Sequence, residues 1–275
     1  MKKPLDLTQE QWWIVTDIDG TLMNHKYEFI EAIPTIKWLK EIGIPIIPCT
    51  SKTASEVRVL RKTIGLNDPF IVENGGAIYG QTESSGEEWK LVLGKSYDDL
   101  RAKLSLISSE LGYKLTPLND LTDKEINQLT GLTGLSIQLA LQREWSVPFL
   151  NPPESDREKI IEIALKLGTT IYKGNRMSHL LAKGSHKGRA VTELKKFLNQ
   201  PDAKVIALGD SQNDLPLLEV ADIAVVVPGG KGVNPWLKTG VDNGQFLLAP
   251  APHSEGWALA IRDLFEGTSN ISYEF

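Results

Sequence analysis

Between residues 12 and 72 the chain alternates continuous apolar runs with amphipathic ones, and few folds accept that pattern. Trp12–Thr16 and 44–49 read as strands. Between them Ile33, Ile36, Leu39 and Ile42 recur at helical spacing over 31–42, and Gly43 follows as a stop. Ala54–Ile64 repeats the device, with Val57, Leu60 and Ile64 on one face and Gly65 behind it, and Phe70–Val72 begins a third strand. A strand that is apolar throughout is buried on both faces. The order strand-helix-strand-helix-strand therefore predicts an α/β fold with a parallel sheet covered on each side.

The pattern changes after residue 81. Residues 82–88 are polar and contain glycine, which predicts a linker. Beyond it the sequence predicts a strand over 89–93, helices over Tyr97–Leu111 and 122–129, a strand over 136–141, a helix over 156–167, and strands over 170–172 and 177–181. Such a mixture suits a small α+β unit. The first pattern resumes after Lys183, with helices over 187–198 and 215–220, strands over 205–208 and 223–227, and a last helix over 254–265. The expectation is a Rossmann-like parallel-sheet core over 1–83 and 183–275, interrupted by an inserted α+β domain over 84–182.

Bulk properties narrow the function by exclusion. A net charge of −5 with no basic block argues against a nucleic-acid partner. No run approaches a membrane span of roughly 18 apolar residues. Lys2 and Lys3 have no apolar stretch behind them, so no secretory leader is expected. The single cysteine, Cys49, rules out an intrachain disulfide and reads as core. The expected setting is the cytoplasm, as a monomer or weak homodimer with a small-molecule partner. There is no Gly-x-Gly-x-x-Gly after the first strand and no Walker loop. The four histidines show no paired metal spacing, and His25 and His253 read as surface residues.

The chemistry is concentrated at strand ends. Asp17-Ile18-Asp19-Gly20-Thr21 directly follows the first strand, where α/β sheets bind their ligands. Two poorly solvated carboxylates a few ångströms apart repel by about 4 kcal/mol at an effective dielectric near 20. A cation or a proton must compensate them. Gly209-Asp210-Ser211-Gln212-Asn213-Asp214 repeats the theme after a later strand. There two readings stand: Ser211 or Asn213 simply caps a helix, or Asp210 and Asp214 join the first pair in an all-oxygen site suited to Mg²⁺. Thr50 and Ser51 follow the second strand, where hydroxyls can bind phosphate, cap the next helix, or both. Lys187 opens a helix, where a cation opposes the helix dipole; it reads either as a solvated surface residue or as part of a site.

In order, Asp17-Ile18-Asp19-Gly20-Thr21, Thr50, Lys187 and the 209–214 segment resemble the four motifs of the haloacid dehalogenase-like phosphatases. Glu73-Asn74-Gly75-Gly76 followed by a long insertion resembles the branch whose α+β cap follows the third strand. Within it, Thr50-Ser51-Lys52-Thr53, Arg143-Glu144-Trp145-Ser146 with Pro148-Phe149, Gly174-Asn175-Arg176 with His179, and Glu255-Gly256-Trp257 are similar to the mannosyl-3-phosphoglycerate phosphatases.

The resemblance implies a Mg²⁺-dependent phosphomonoesterase. Asp17 is then the nucleophile and Asp19 the acid and base. The metal falls to Asp17, the backbone carbonyl of Asp19, Asp210 and Asp214, and the phosphoryl group to Thr50, Ser51, Lys187 and Asn213. The substrate would be a phosphorylated sugar-glycerate, mannosyl- or glucosyl-3-phosphoglycerate, held by Lys52, Asn74, Gly75, Gly76, Arg143, Ser146, Arg176 and His179. Trp145 could line the sugar site, and the glycines of 74–76 would let backbone approach the substrate. A broader sugar-phosphate or sucrose-phosphate phosphatase, a sugar phosphomutase and a silent sugar-phosphate binder are the alternatives.

Overall fold

The computed structural model describes residues 5, 10–24, 26–82, 84–174 and 176–267. His25, expected at the surface, and Asn175 lie outside the described residues. In chain order the strands are β1 (Trp12–Thr16), β2 (Ile46–Pro48), β3 (Phe70–Val72), β4 (Ala77–Gln81), β5 (Glu88–Val92), β6 (Val147–Phe149), β7 (Thr169–Lys173), β8 (Ser178–Ala182), β9 (Lys204–Gly209), β10 (Ile223–Val226) and β11 (Leu247–Leu248). The α-helices are α1 (Ile33–Glu41), α2 (Ala54–Ile64), α3 (Tyr97–Leu111), α4 (Asp123–Thr130), α5 (Leu135–Ala140), α6 (Arg157–Lys166), α7 (Lys187–Phe197), α8 (Leu215–Glu219), α9 (Pro235–Asp242) and α10 (His253–Glu266).

The core sheet is parallel, in the order β11-β10-β9-β1-β2. A parallel bridge from Cys49 to Ile71 carries the layer on to β3, which pairs antiparallel with β4 and then β5. Alternate residues of β1 serve opposite layers. Trp12 and Ile14 pack with Leu39 of α1 and Trp257 of α10, while Trp13 and Val15 pack with Val191 and Leu194 of α7 and Leu217 of α8. Burying each such side chain contributes about 1.5–3 kcal/mol, which is why the strand carries no polar residue before Thr16. The inserted unit has its own sheet, in the antiparallel order β6-β8-β7. Leu100, Leu104 and Ile107 of α3 and Ile160 and Ile163 of α6 cover it against Val147, Phe149 and Leu180.

Two expectations change. Thr82 and Glu87, expected in a linker, instead close the β4–β5 hairpin, with the Thr82 N–H donating to the Glu87 carbonyl at 2.9 Å. Trp89, Leu91 and Leu93 pack on the core, so residues 88–93 belong with it by pairing and by burial, not with the insertion. Residues 136–141 form a helix, not a strand. Gly134 turns the chain with φ +50°, after which Ile137 and Ala140, one helical turn apart, are buried and Leu135 is exposed. The alternation Leu135-Ser136-Ile137-Gln138-Leu139 mimics a strand, and packing on α2 decides for the helix. The strands β4, β6 and β11 and the helix α9 were not expected from the sequence. Among the described residues no helix is long and apolar enough to cross a membrane.

Candidate active site

The Asp17 N–H donates to the Leu208 carbonyl at 2.9 Å, so this residue extends β1 by one ladder bond before the chain turns away. A buried relay holds its backbone from behind. Trp257 Nε1 donates to Thr16 Oγ1 at 3.0 Å, and that hydroxyl donates to the Asp17 carbonyl at 2.8 Å. The Asp17 carboxylate accepts from Lys187 Nζ at 2.6 Å, and the same ammonium donates to Asp214 Oδ1 at 2.6 Å. Lys187 is 0% exposed, so it is not a solvated surface residue. It opens α7, yet two carboxylates offset the unfavourable helix dipole.

Asp17, Asp210 and Asp214 each offer a carboxylate oxygen within 4.8 Å of the others. Burial pushes the Asp17 carboxyl up to about 7; Lys187 opposes this, and Asp214 and Asp19 add to it. Burial, then the charges of Asp214 and Asp17, hold Asp210 well above the usual carboxylate range. One ammonium faces three buried acids, a balance that a hard divalent cation would correct with the oxygen donors it prefers. Asp214 is the most constrained of them. Its second oxygen accepts from the N–H groups of Asp210 and Ser211 at 3.1 and 3.0 Å and from Ser211 Oγ at 3.2 Å. The two acidic loops meet at Gly20, where a Cβ would lie 2.4 Å from Asp210 Oδ2.

The carboxylate of Asp19 stands apart from this cluster and pairs with Lys52 Nζ at 3.0 Å. Lys52 also reaches Glu56 at 3.6 Å and lies over the Tyr27 ring. These residues, with Asp17, Ser51, Arg143, Arg176, His179, Ser211 and Asn213, line one cleft between the core and the insertion. Arg143 reaches into it from the insertion while donating to the Ser51 carbonyl at 2.6 Å. Arg176 donates to the Thr130 carbonyl at 2.7 Å and to Tyr27 Oη at 3.2 Å. His179 is kept neutral: burial, then the charges of Arg143 and Lys187, push it down to about 3. Its Nδ1 is buried without a hydrogen-bond partner.

Other expected site residues sit elsewhere. Ser146 is fully buried, and its hydroxyl donates to Glu73 Oε2 at 2.6 Å, which removes it from the cleft. Gly75 and Gly76 do not clear a path for substrate. A Cβ would meet the His186 carbonyl oxygen at 2.5 Å from Gly75 and Trp145 Cβ at 2.4 Å from Gly76, so they serve chain-to-chain packing. Asn74 is buried and accepts from Asn213 Nδ2 at 2.9 Å. The Thr50 hydroxyl is buried under the Ser51 turn and accepts from the Lys52 N–H at 3.2 Å. Sequence reasoning missed Tyr27 and Glu56 and gave Glu73, within the Glu73-Asn74-Gly75-Gly76 motif, no role of its own. Glu56 had a signal, because Thr53-x-x-Glu56 is a capping box, and the structure forms it.

The model of the family described as haloacid dehalogenase-like hydrolase matches residues 14–90 and 149–231. A glucosyl-3-phosphoglycerate/mannosyl-3-phosphoglycerate phosphatase from Persephonella marina is 37% identical over 257 residues, covering 89% of this chain and 93% of its own. A protein of the same description from Methanococcoides burtonii is 37% identical over 279 residues, covering 94% and 98%. Among solved structures, a phosphatase of the haloalkanoate superfamily from Bacteroides thetaiotaomicron superposes with a TM-score of 0.70 at 16% identity, covering 96% of this chain and 98% of that one. The sucrose-phosphatase of Synechocystis superposes with a TM-score of 0.63 at 18% identity, covering 93% and 98%. The two structures speak for the fold; the family match and the sequence relatives carry further, and by them the chain belongs to the haloacid dehalogenase-like hydrolases and is one of their phosphatases.

Proposed function

We propose that the protein is a Mg²⁺-dependent hydrolase of glycosyl-3-phosphoglycerates, mannosyl or glucosyl, working through a phosphorylated Asp17. One observation carries the mechanism: of the three clustered acids, only Asp17 also lines the cleft. This supports Asp17 as the carboxylate that attacks a bound phosphate, with Lys187 bonded to it to neutralise charge and fix its orientation. Asp17, Asp210 and the Asp19 carbonyl would hold Mg²⁺, with Asp214 orienting them. The ion would supply the positive charge that lets a carboxylate approach an anionic phosphoryl group.

Asp19 lines the same cleft two residues from Asp17, paired with Lys52, and is the carboxyl we assign the proton work. It would protonate the departing sugar-glycerate oxygen and then take a proton from the water that hydrolyses the acyl phosphate. Ser51, on the cleft wall, would donate to a phosphate oxygen, and Thr50 would set that turn from below. The substrate class rests on the two sequence relatives and on three cations, Lys52, Arg143 and Arg176, that line the same cleft. Arginine suits a carboxylate, which it can grip with two parallel hydrogen bonds.

The test is phosphate release from a panel. Mannosyl- and glucosyl-3-phosphoglycerate should exceed mannose 6-phosphate and sucrose 6-phosphate, and EDTA should stop all four reactions. Activity that survives EDTA removes the metal, and a preference for sucrose 6-phosphate removes the substrate class. Arg176→Ala should raise KM for the glycosyl-3-phosphoglycerates about tenfold, the weight of one hydrogen bond to a charged group, without changing KM for mannose 6-phosphate. An unchanged KM for the former means that Arg176 does not hold the glycerate.

A further inference from the structure

Glu73 belongs to no step above, yet it is the most heavily engaged carboxylate between the two domains. It is 0% exposed and follows β3 with φ +48°, and Asn74 behind it has φ +55°. Two successive left-handed residues that are not glycine are costly and persist only where their surroundings enforce them. Glu73 Oε1 accepts from the Glu144 N–H at 2.9 Å; Oε2 accepts from the Trp145 N–H at 3.1 Å and from Ser146 Oγ at 2.6 Å. All three donors come from the insertion, just before β6.

The rest of the turn faces the phosphate side and the crossings between domains. The Glu73 N–H donates to the Lys52 carbonyl at 3.0 Å and the Asn74 N–H to the Thr50 carbonyl at 2.9 Å. Asn74 Oδ1 holds Asn213. The Gly76 carbonyl accepts from Leu93 and Gly94 at 3.0 and 2.8 Å, where the chain leaves the core, and Gly75 abuts His186, where it returns.

We propose that Glu73 is a positioning residue: seated beside both crossings, its carboxylate fixes the insertion at one angle over the cleft and ties that angle to the loops carrying Thr50 and Asn213. The kinetic part rests on the function proposed above, since it assumes that Arg143 and Arg176 of the insertion grip the substrate. A substrate that needs only Asp17 and its neighbours is indifferent to that angle.

The test is Glu73→Gln, which keeps the shape but turns one acceptor into a donor facing donors. Amide hydrogen exchange at Glu144 and Trp145 should quicken about tenfold or more as those bonds open. KM for glycosyl-3-phosphoglycerates should rise about tenfold while kcat for p-nitrophenyl phosphate stays within about twofold. Ser146→Ala removes one of the three donors and should move both readouts the same way by less; it carries the test if the glutamine variant does not fold. Equal losses of kcat on both substrates would reduce Glu73 to a support of the fold. Unchanged exchange at both amides would overturn the proposal. If the parent protein releases no phosphate from either glycosyl-3-phosphoglycerate, the functional reading falls, and the exchange measurement alone decides the role of Glu73.

Discussion

Asp17→Asn should abolish phosphate release from every phosphomonoester, with turnover falling at least about 10⁴-fold if Asp17 is the nucleophile proposed above, in a site that otherwise stays intact. The fold should not suffer. Asparagine has the same shape, its amide oxygen can still accept from Lys187, and the substitution removes one of three clustered acids. The variant should therefore melt no lower than its parent in a calorimetric scan. Full turnover in this variant ends the aspartyl-phosphate mechanism, whereas lost turnover with a collapsed melting transition would show that the carboxylate is needed for folding.

Lys187→Met should have the largest combined effect on activity and stability. The ammonium is fully buried and bonded at 2.6 Å to both Asp17 and Asp214, so methionine would leave two buried carboxylates without their counter-charge. Breaking a buried pair from one side costs about 3–5 kcal/mol, and here two partners are stranded. For a chain of this size that is a fall in Tm of roughly 10 °C, accompanied by loss of activity. Arginine should not rescue it, because a forked guanidinium does not fit where a point charge touches two acids. A methionine variant with unchanged Tm would mean that the ammonium does not balance those charges.

The core was legible in the sequence because its chemistry sits at strand ends, and strand ends are marked by an apolar run breaking into Asp, Thr or Gly. Asp17, Thr50 and Asp210 could be placed in that way without coordinates. The function of Lys187 was not legible from position, since a lysine at a helix start looks solvated; only the fold brings Asp17 and Asp214 to it across 170 and 27 residues. Ser146 was misplaced for a related reason. Its partner, Glu73, lies 73 residues away in the other domain, and no local pattern announces a bond of that kind. The helix at Leu135–Ala140 was misread because six residues are too few for a period to declare itself.

β1 lies between β9 and β2, with Asp17 at its end. A strand with a partner on each edge is held by ladder bonds on both sides and is among the last parts of a protein to open. On the proposed mechanism the attacking group is thus mounted on a strand held along both edges, while Arg143, Arg176 and His179 come from the segment between β5 and the end of β8. On that reading, mutation there would change which phosphate ester is accepted without disturbing Asp17 and its neighbours. Such a division lets one phosphatase scaffold radiate into many specificities, and it marks the insertion as the place to graft a new one.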